Sequence, residues 1–213
     1  MTQPARRPRR PTAVRREEIL SAALDLFGQR GYGSVGIRDV AAASDLSATG
    51  IYRHFASKED LLVGLFDRLS DRMTAAMDVA SRIGDPGRAL AHLVTFHAEM
   101  VVREPAMIPI YQREEHSLPP AERDRFNGVL RDYLAMWVAR LVELDAGLPG
   151  AVARTTVVAA FGTLNGISLH KSDLAAQDLQ DLAVRLAWRT LGPTGAVPMP
   201  RPRRNGSDEP VDG

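Results

Sequence analysis

The chain has 213 residues, 45% of them hydrophobic, and no cysteine. That length can bury one compact core or two small domains that share one, and the missing cysteine excludes disulfides, thiol redox sensing and cysteine–zinc sites. The net charge of +1 conceals an asymmetry, because residues 1–58 hold ten Lys/Arg against five Asp/Glu while the remainder holds 17 against 21. A basic first quarter on an acidic body points to a localised polyanion-binding end, or to a basic tail that only aids solubility. No apolar run reaches membrane-spanning length, and no apolar stretch of signal type follows the arginine-rich start. A cytoplasmic location is the simple expectation.

Residues 1–12 are rich in Pro and Arg and read as a disordered basic arm. The first helix is expected from about Thr12 to Gln29, with Leu20, Ala23, Leu24 and Phe27 on one face, stopped by Gly31 and Gly33. A short helix follows from Ile37 to Ser44, then a second from Ser47 to about His54, opened by Ser47 as N-cap. A long helix starts after Ser57, with Asp60 in the place of a capping-box acid and an apolar stripe through Leu62, Leu65, Phe66, Leu69, Met73, Met77 and Ala80. Asp85-Pro86-Gly87 breaks the chain. Further helices are expected at about 86–103, 105–116, 119–146, 150–170 and 173–191, with Pro105, Pro119, Pro120 and Pro149 at first-turn positions. Strand alternation and internal repeats are missing, so the fold class is all-α with about nine helices. Residues 193–213, rich in Pro, Gly and charge, read as a disordered tail.

The short helix, tight turn and second short helix at 37–54 form a helix-turn-helix pattern, a unit that lays its second helix in the DNA major groove. That helix must be capped, and small at its N-terminal end, for its backbone to approach DNA. Ser47, Ala48, Thr49 and Gly50 meet the need, and the helix N-terminus can accept a phosphate. Tyr52 and His54 can reach phosphates or base edges, with packing the lesser alternative for Tyr52. Arg38 reaches the DNA backbone from the preceding helix, and Lys58 adds a phosphate contact. Leu46, Ile51 and Phe55 point inward. The arm arginines from Arg6 to Arg16 either enter a minor groove or raise nonspecific affinity.

The stretch Gly31-Tyr32, Ile37-Arg38-Asp39-Val40-Ala41, Leu46-Ser47 and Gly50 through Leu62 resembles the TetR family of bacterial regulators, over roughly residues 13–62. Its most diagnostic portion is Ile51-Tyr52, Phe55, Lys58 and Leu61. Two positions depart from the family. Gly36 stands where Thr or Ser usually caps the first short helix, and Asp45 stands where the turn usually has Gly. Aspartate tolerates a left-handed backbone better than most residues, and its carboxylate close to DNA bears on affinity. The resemblance implies a DNA-binding domain at 13–60 and a ligand-binding and dimerisation domain at 61–192.

Further expectations follow from that resemblance. Phe66, Leu69, Met73, Phe96, His97, Met100, Tyr111, Trp137, Phe161 and Asn165 are candidates to line an apolar effector cavity with a few polar groups. Each is also compatible with ordinary core. His97 suits a hydrogen-bonded core histidine or a ligand contact, and Asn165 a ligand contact or a dimer contact. Phe126, Leu130, Tyr133, Leu134 and Leu141, on the helix of Trp137, are further candidates for that wall or for ordinary core. Ala159, Gly162 and Gly166, small residues that allow close helix approach, and Leu182, Leu186 and Trp188 are the candidate dimer interface. Ile110 to Pro119 and Tyr52 to Phe55 look similar to actinobacterial members tied to fatty-acid or sterol catabolism.

The expected function is thus a homodimeric transcriptional repressor on a palindromic operator, released by a small hydrophobic effector, first an acyl-CoA or lipid-like molecule. An aromatic drug with control of an efflux pump is the runner-up, followed by an effector-independent activator or architectural protein. No phosphate loop, nucleophile elbow, metal-ligand spacing or paired catalytic carboxylate is visible, so no enzyme, cofactor or metal is expected. Glu114, Glu115 and His116 do not have metal-ligand spacing and read as a solvated helix end.

Overall fold

The computed structural model describes residues 12–192, all of whose regular elements are helical. The expected arm and tail therefore lie outside the described residues, except for Thr12. The elements are α1 (Thr12–Arg30), α2 (Ile37–Ala43), α3 (Ala48–Tyr52), α4 (Lys58–Ser81), α5 (Pro86–Arg103), α6 (Met107–Glu114), α7 (Pro120–Leu144), α8 (Gly150–Ser168) and α9 (Ala176–Leu191), with single 3-10 turns at Tyr32–Ser34 and Glu115–Ser117.

Local chemistry accounts for five of the helix starts. Ser47, Ser57 and Asp85 each accept a hydrogen bond from the backbone N–H three residues on, at 3.1, 3.0 and 2.7 Å, the usual N-cap arrangement. Pro86 and Pro120 occupy the first turns of their helices, where a missing N–H costs nothing. Gly36 can offer no side-chain cap to α2, but Asp39 reaches back to its N–H at 2.8 Å and supplies half of a capping box.

Several boundaries differ from expectation by two or more residues, three of them as follows. The sixth helix begins at Met107, because Pro105 lies in the turn that reverses the chain after α5. The ninth begins at Ala176, with residues 171–175 irregular. The third ends at Tyr52, since Arg53 and His54 form a tight turn in which both His54 N–H and Phe55 N–H donate to the Ile51 carbonyl.

Helices α1–α3 pack into a small unit around Ile19, Leu20, Phe27, Val40, Ile51 and Phe55. Helix α4 closes that unit with its first turns and then runs on into the larger body. Its 24 residues span about 36 Å at 1.5 Å per residue. In the body α5 is central, packed by α4, α7, α8 and α9, and it buries Leu90, Leu93, Val94, His97, Met100 and Val101. Trp137 and Tyr133 of α7 are fully enclosed against it, and the Tyr133 hydroxyl donates to the Leu93 carbonyl at 3.4 Å. Helices α8 and α9 pack side by side.

Candidate functional site

The turn between α2 and α3 is made by Asp45, at φ 54 the only non-glycine residue with positive φ among those described. That backbone suits glycine best and aspartate tolerably, as expected from the residue type. Ile51 and Phe55 are buried and set the angle of α3, while Arg38, Ser47, Thr49 and Tyr52 are exposed and Ala48, Gly50 and His54 half-buried. Tyr52 is 54% exposed, so packing is not its main duty. A Cβ on Gly50 would meet nothing closer than 3.4 Å. The interior therefore does not require glycine there, and its bareness leaves the outer side of α3 open for close approach.

Lys58 is placed differently from the expectation of a free phosphate contact. Its Nζ donates to the carbonyls of Tyr32 and Gly33, at 3.0 and 3.5 Å, and lies 4.4 Å from the centre of the Tyr32 ring. It ties the start of α4 to the turn after α1. Arg16, read from sequence as part of a basic arm, is an anchor too. It donates to the His54 carbonyl at 3.1 Å, and its guanidinium stacks 4.2 Å from the centre of the Phe55 ring. Beneath Phe55, Gly64 of α4 makes room, since a Cβ there would lie 2.9 Å from Phe55 and 3.1 Å from Leu20. Nothing in local sequence marks Arg16 or Gly64 for these roles, because the partners lie far along the chain.

A second site lies in the body, a cavity of about 190 Å³ walled by Leu69 and Met73 of α4, His97 and Met100 of α5, Ile108 and Tyr111 of α6, Phe126, Leu130 and Leu134 of α7, and Val158, Phe161 and Asn165 of α8. Seven of the ten candidate effector residues are among these. The other three are not. Phe66 stands behind the wall, edge-on to Phe126 at 4.9 Å. Phe96 packs on Tyr133 at 6.1 Å and under Arg72. Trp137 is sealed in the core behind Phe161, 4.7 Å away. Ile108 and Val158 join the wall without having been singled out. Their phase could have revealed them, because Ile108 lies one turn before Tyr111, and Val158 shares a stripe with Phe161 and Asn165.

The cavity wall holds no charged residue. His97 is fully enclosed, and burial pushes its imidazole down from 6.5 to about 4, a hydrogen bond to Asn165 opposing the shift in part. Its Nε2 lies 2.9 Å from Asn165 Oδ1. Burial, and secondarily Glu115, raises the pKa of the Tyr111 phenol.

Two of the contacts between the halves stand out. A Cβ on Gly28 of α1 would lie 2.5 Å from the Cβ of Ala106, so the end of α1 rests directly on the residue that opens α6. Arg68 of α4 bridges Glu17 of α1 and Glu104 at the end of α5, at 3.6 and 3.4 Å, and Arg72 joins Glu104 at 2.9 Å.

Of the candidate dimer residues, Ala159, Gly162 and Gly166 lie exposed on α8, and Leu182 and Leu186 are part-buried on α9. Trp188 is 5% exposed and packs inward; the phase of α9 puts it with Val184 and Leu191 in the subunit's own core.

Residues 19–65 match the family described as bacterial regulatory proteins, tetR family. The HTH-type transcriptional repressor KstR2 of Rhodococcus jostii is 30% identical over 148 residues, 67% of this chain and 70% of that one. The chain belongs to the TetR family. The HTH-type transcriptional repressor Rv3405c of Mycobacterium tuberculosis is 39% identical over 101 residues, 42% of this chain and 53% of that one, so the chain spans about half of that relative's length. The crystal structure of AibR in complex with isovaleryl coenzyme A and operator DNA shares the fold, with a TM-score of 0.66 at 19% identity over 81% of this chain and 97% of that one. The TetR-type N-terminal DNA-binding domain that the family model matches takes in most of α1, then α2, α3 and the start of α4. Among the described residues no helix is long and apolar enough to cross a membrane.

Proposed function

We propose that this TetR-family chain is a homodimeric repressor that leaves its operator when a small hydrophobic molecule enters the body. One observation carries the reading. The helix that closes the DNA-binding unit, α4, also contributes Leu69 and Met73 to the wall of an apolar cavity. A ligand that fits one position of α4 better than another shifts the balance between DNA-competent and DNA-incompetent states by its differential affinity.

Arg38, Ser47, Ala48, Thr49, Gly50, Tyr52 and His54 form the proposed DNA surface, with Lys58 and Arg16 holding it in place. Residues 13–60 and 61–192 are the proposed functional domains, joined without a break because α4 runs across the division. The exposed small residues of α8 and the outer leucines of α9 are the proposed dimer face.

For the effector, an acyl-CoA or related lipid-like molecule is favoured. AibR is described with isovaleryl coenzyme A, and the apolar cavity suits an acyl chain whose polar carrier stays outside. A second reading, an aromatic effector, is favoured by the ring-rich wall of Tyr111, Phe126 and Phe161. The test is a titration against labelled DNA from upstream of the gene, at two salt concentrations with random competitor, followed by short and medium acyl-CoAs and aromatic compounds. Competitor-resistant binding released by one class identifies it. Equal binding to random DNA that collapses with salt would sink the operator reading, and specific binding that no ligand releases would sink the effector reading.

A further inference from the structure

The cavity is apolar except for a small polar constellation on one side, and the arrangement of that constellation constrains what it can recognise. His97 Nδ1 is sealed off and has no hydrogen-bond partner. Around its ring stand Tyr133, Trp137 and Phe161, at centroid distances of 6.1, 6.1 and 4.5 Å. A neutral imidazole carries one N–H. Placed on Nδ1, that N–H would be an orphaned buried donor, which costs more than a bare lone pair in the same place. The proton therefore sits on Nε2 and is donated to Asn165 Oδ1 at 2.9 Å. This fixes the carboxamide. Its oxygen is occupied by His97, and its Nδ2 makes no hydrogen bond among the described residues and is not sealed off. Asn165 lines the cavity and is only part-buried.

We infer that Asn165 is the specificity-determining residue of the cavity, its Nδ2–H donating to an uncharged carbonyl oxygen of the effector, with His97 as the residue that positions it. The inference rests on the reading of the cavity as an effector site and names the chemistry of what it takes. A hydroxyl satisfies the donor less well, since its own hydrogen also needs an acceptor and would have to share the Asn165 oxygen with His97. A carboxylate is disfavoured because no cation lines the wall to offset the loss of its hydration. Size agrees with a compact ligand or an acyl segment. An apolar cavity of about 150 Å³ holds benzene, so one somewhat larger takes on the order of ten heavy atoms. A ketone or ester can supply the carbonyl alone, and an acyl thioester can supply it with its carrier outside.

The test uses the full chain with four probes sharing an eight-carbon skeleton: 2-octanone, 2-octanol, octanoate and octanoyl-CoA. Binding is followed by calorimetry. 2-Octanone should bind roughly tenfold more tightly than 2-octanol and octanoate, and Asn165→Leu should abolish that preference while leaving 2-octanol binding within about twofold, the size expected for one hydrogen bond. His97→Leu should erode the same ratio and His97→Gln, which keeps a donor for the Asn165 oxygen, should restore it. A merely structural role for His97 would lower all affinities together and leave the ratio intact. A carbonyl-to-hydroxyl ratio near one in the unaltered chain, or a ratio unchanged by Asn165→Leu, overturns the inference while any probe binding leaves the effector cavity standing. Tight octanoyl-CoA binding that falls about tenfold in Asn165→Leu assigns the carbonyl to a thioester, and an unaffected affinity overturns the role of Asn165. Failure of all four probes to bind overturns the inference and the cavity reading together.

Discussion

Asp45 holds a backbone that its residue type only tolerates, and it places a carboxylate beside the helix proposed to meet DNA. Replacing it separates the two effects. Asp45→Asn keeps a side chain suited to positive φ and removes the charge, so DNA affinity should rise severalfold in a low-salt titration. Asp45→Val should lower stability by about 1–2 kcal/mol, the penalty of a left-handed backbone for such a residue, measured by urea unfolding. This position was legible in the sequence because its constraint is local. The state of His97 was not, since its enclosure depends on Tyr133, Trp137, Phe161 and Asn165, brought together from two other helices. None of these neighbours is charged. With its pKa pushed down by burial from 6.5 to about 4, the folded chain binds fewer protons than the unfolded chain between those values. Stability from this group is therefore full above pH 6.5 and is lost as pH falls toward 4, by roughly 3 kcal/mol in all. Urea unfolding at pH 7.5 and pH 5 should show a smaller loss in His97→Leu than in the parent, and equal losses would contradict the burial of a neutral imidazole.

Two glycines, similar on paper, play opposite parts in their helices. In α3, Gly50 has room for a methyl group, so Gly50→Ala should raise stability by up to about 1 kcal/mol through helix propensity. DNA binding should weaken severalfold, because the methyl stands on the element that must approach the groove. In α4, Gly64 has no such room against Phe55 and Leu20, and Gly64→Ala should destabilise by roughly 1–2 kcal/mol once overpacking is set against the propensity gain. Thermal melts and a DNA titration on both variants check the pair, and a reversal of the two stability changes would contradict the packing described. Caps, prolines and apolar periodicity made most helices readable in advance, including Ser47 and Ser57 as openings of α3 and α4. The misplaced ends at Met107 and Ala176 follow connections whose form is set by the packing of neighbouring helices, and periodicity carries no information there.

For the whole molecule, the exposed stretch of small residues on α8 predicts that Gly162→Arg folds normally, since nothing lies within 4 Å of a Cβ at that position, yet sediments as a monomer and loses most operator binding. Retention of the dimer in sedimentation would move the interface elsewhere. The wall of the cavity was largely readable because apolar stripes on separate helices must meet somewhere. The junction between the halves was not, because Gly28 and Ala106 are 78 positions apart and neither stands out alone. That junction has a mechanical character of its own. A helix backbone seated on a single methyl group, with no flexible side chain between them, is stiff when compressed and gives way when pulled, because repulsion rises steeply and dispersion from so few atoms is weak. Displacement of α6 toward α1 is resisted steeply at this contact, whereas withdrawal is opposed here only weakly and is left to the Arg68 bridge between Glu17 and Glu104. Trimming the methyl in Ala106→Gly should therefore leave ligand affinity within about twofold in calorimetry while blunting ligand-driven release from DNA. If the cavity takes the effector proposed above, the contact works as a push-rod, and the chain responds to a cavity that is overfilled more than to one that is merely occupied.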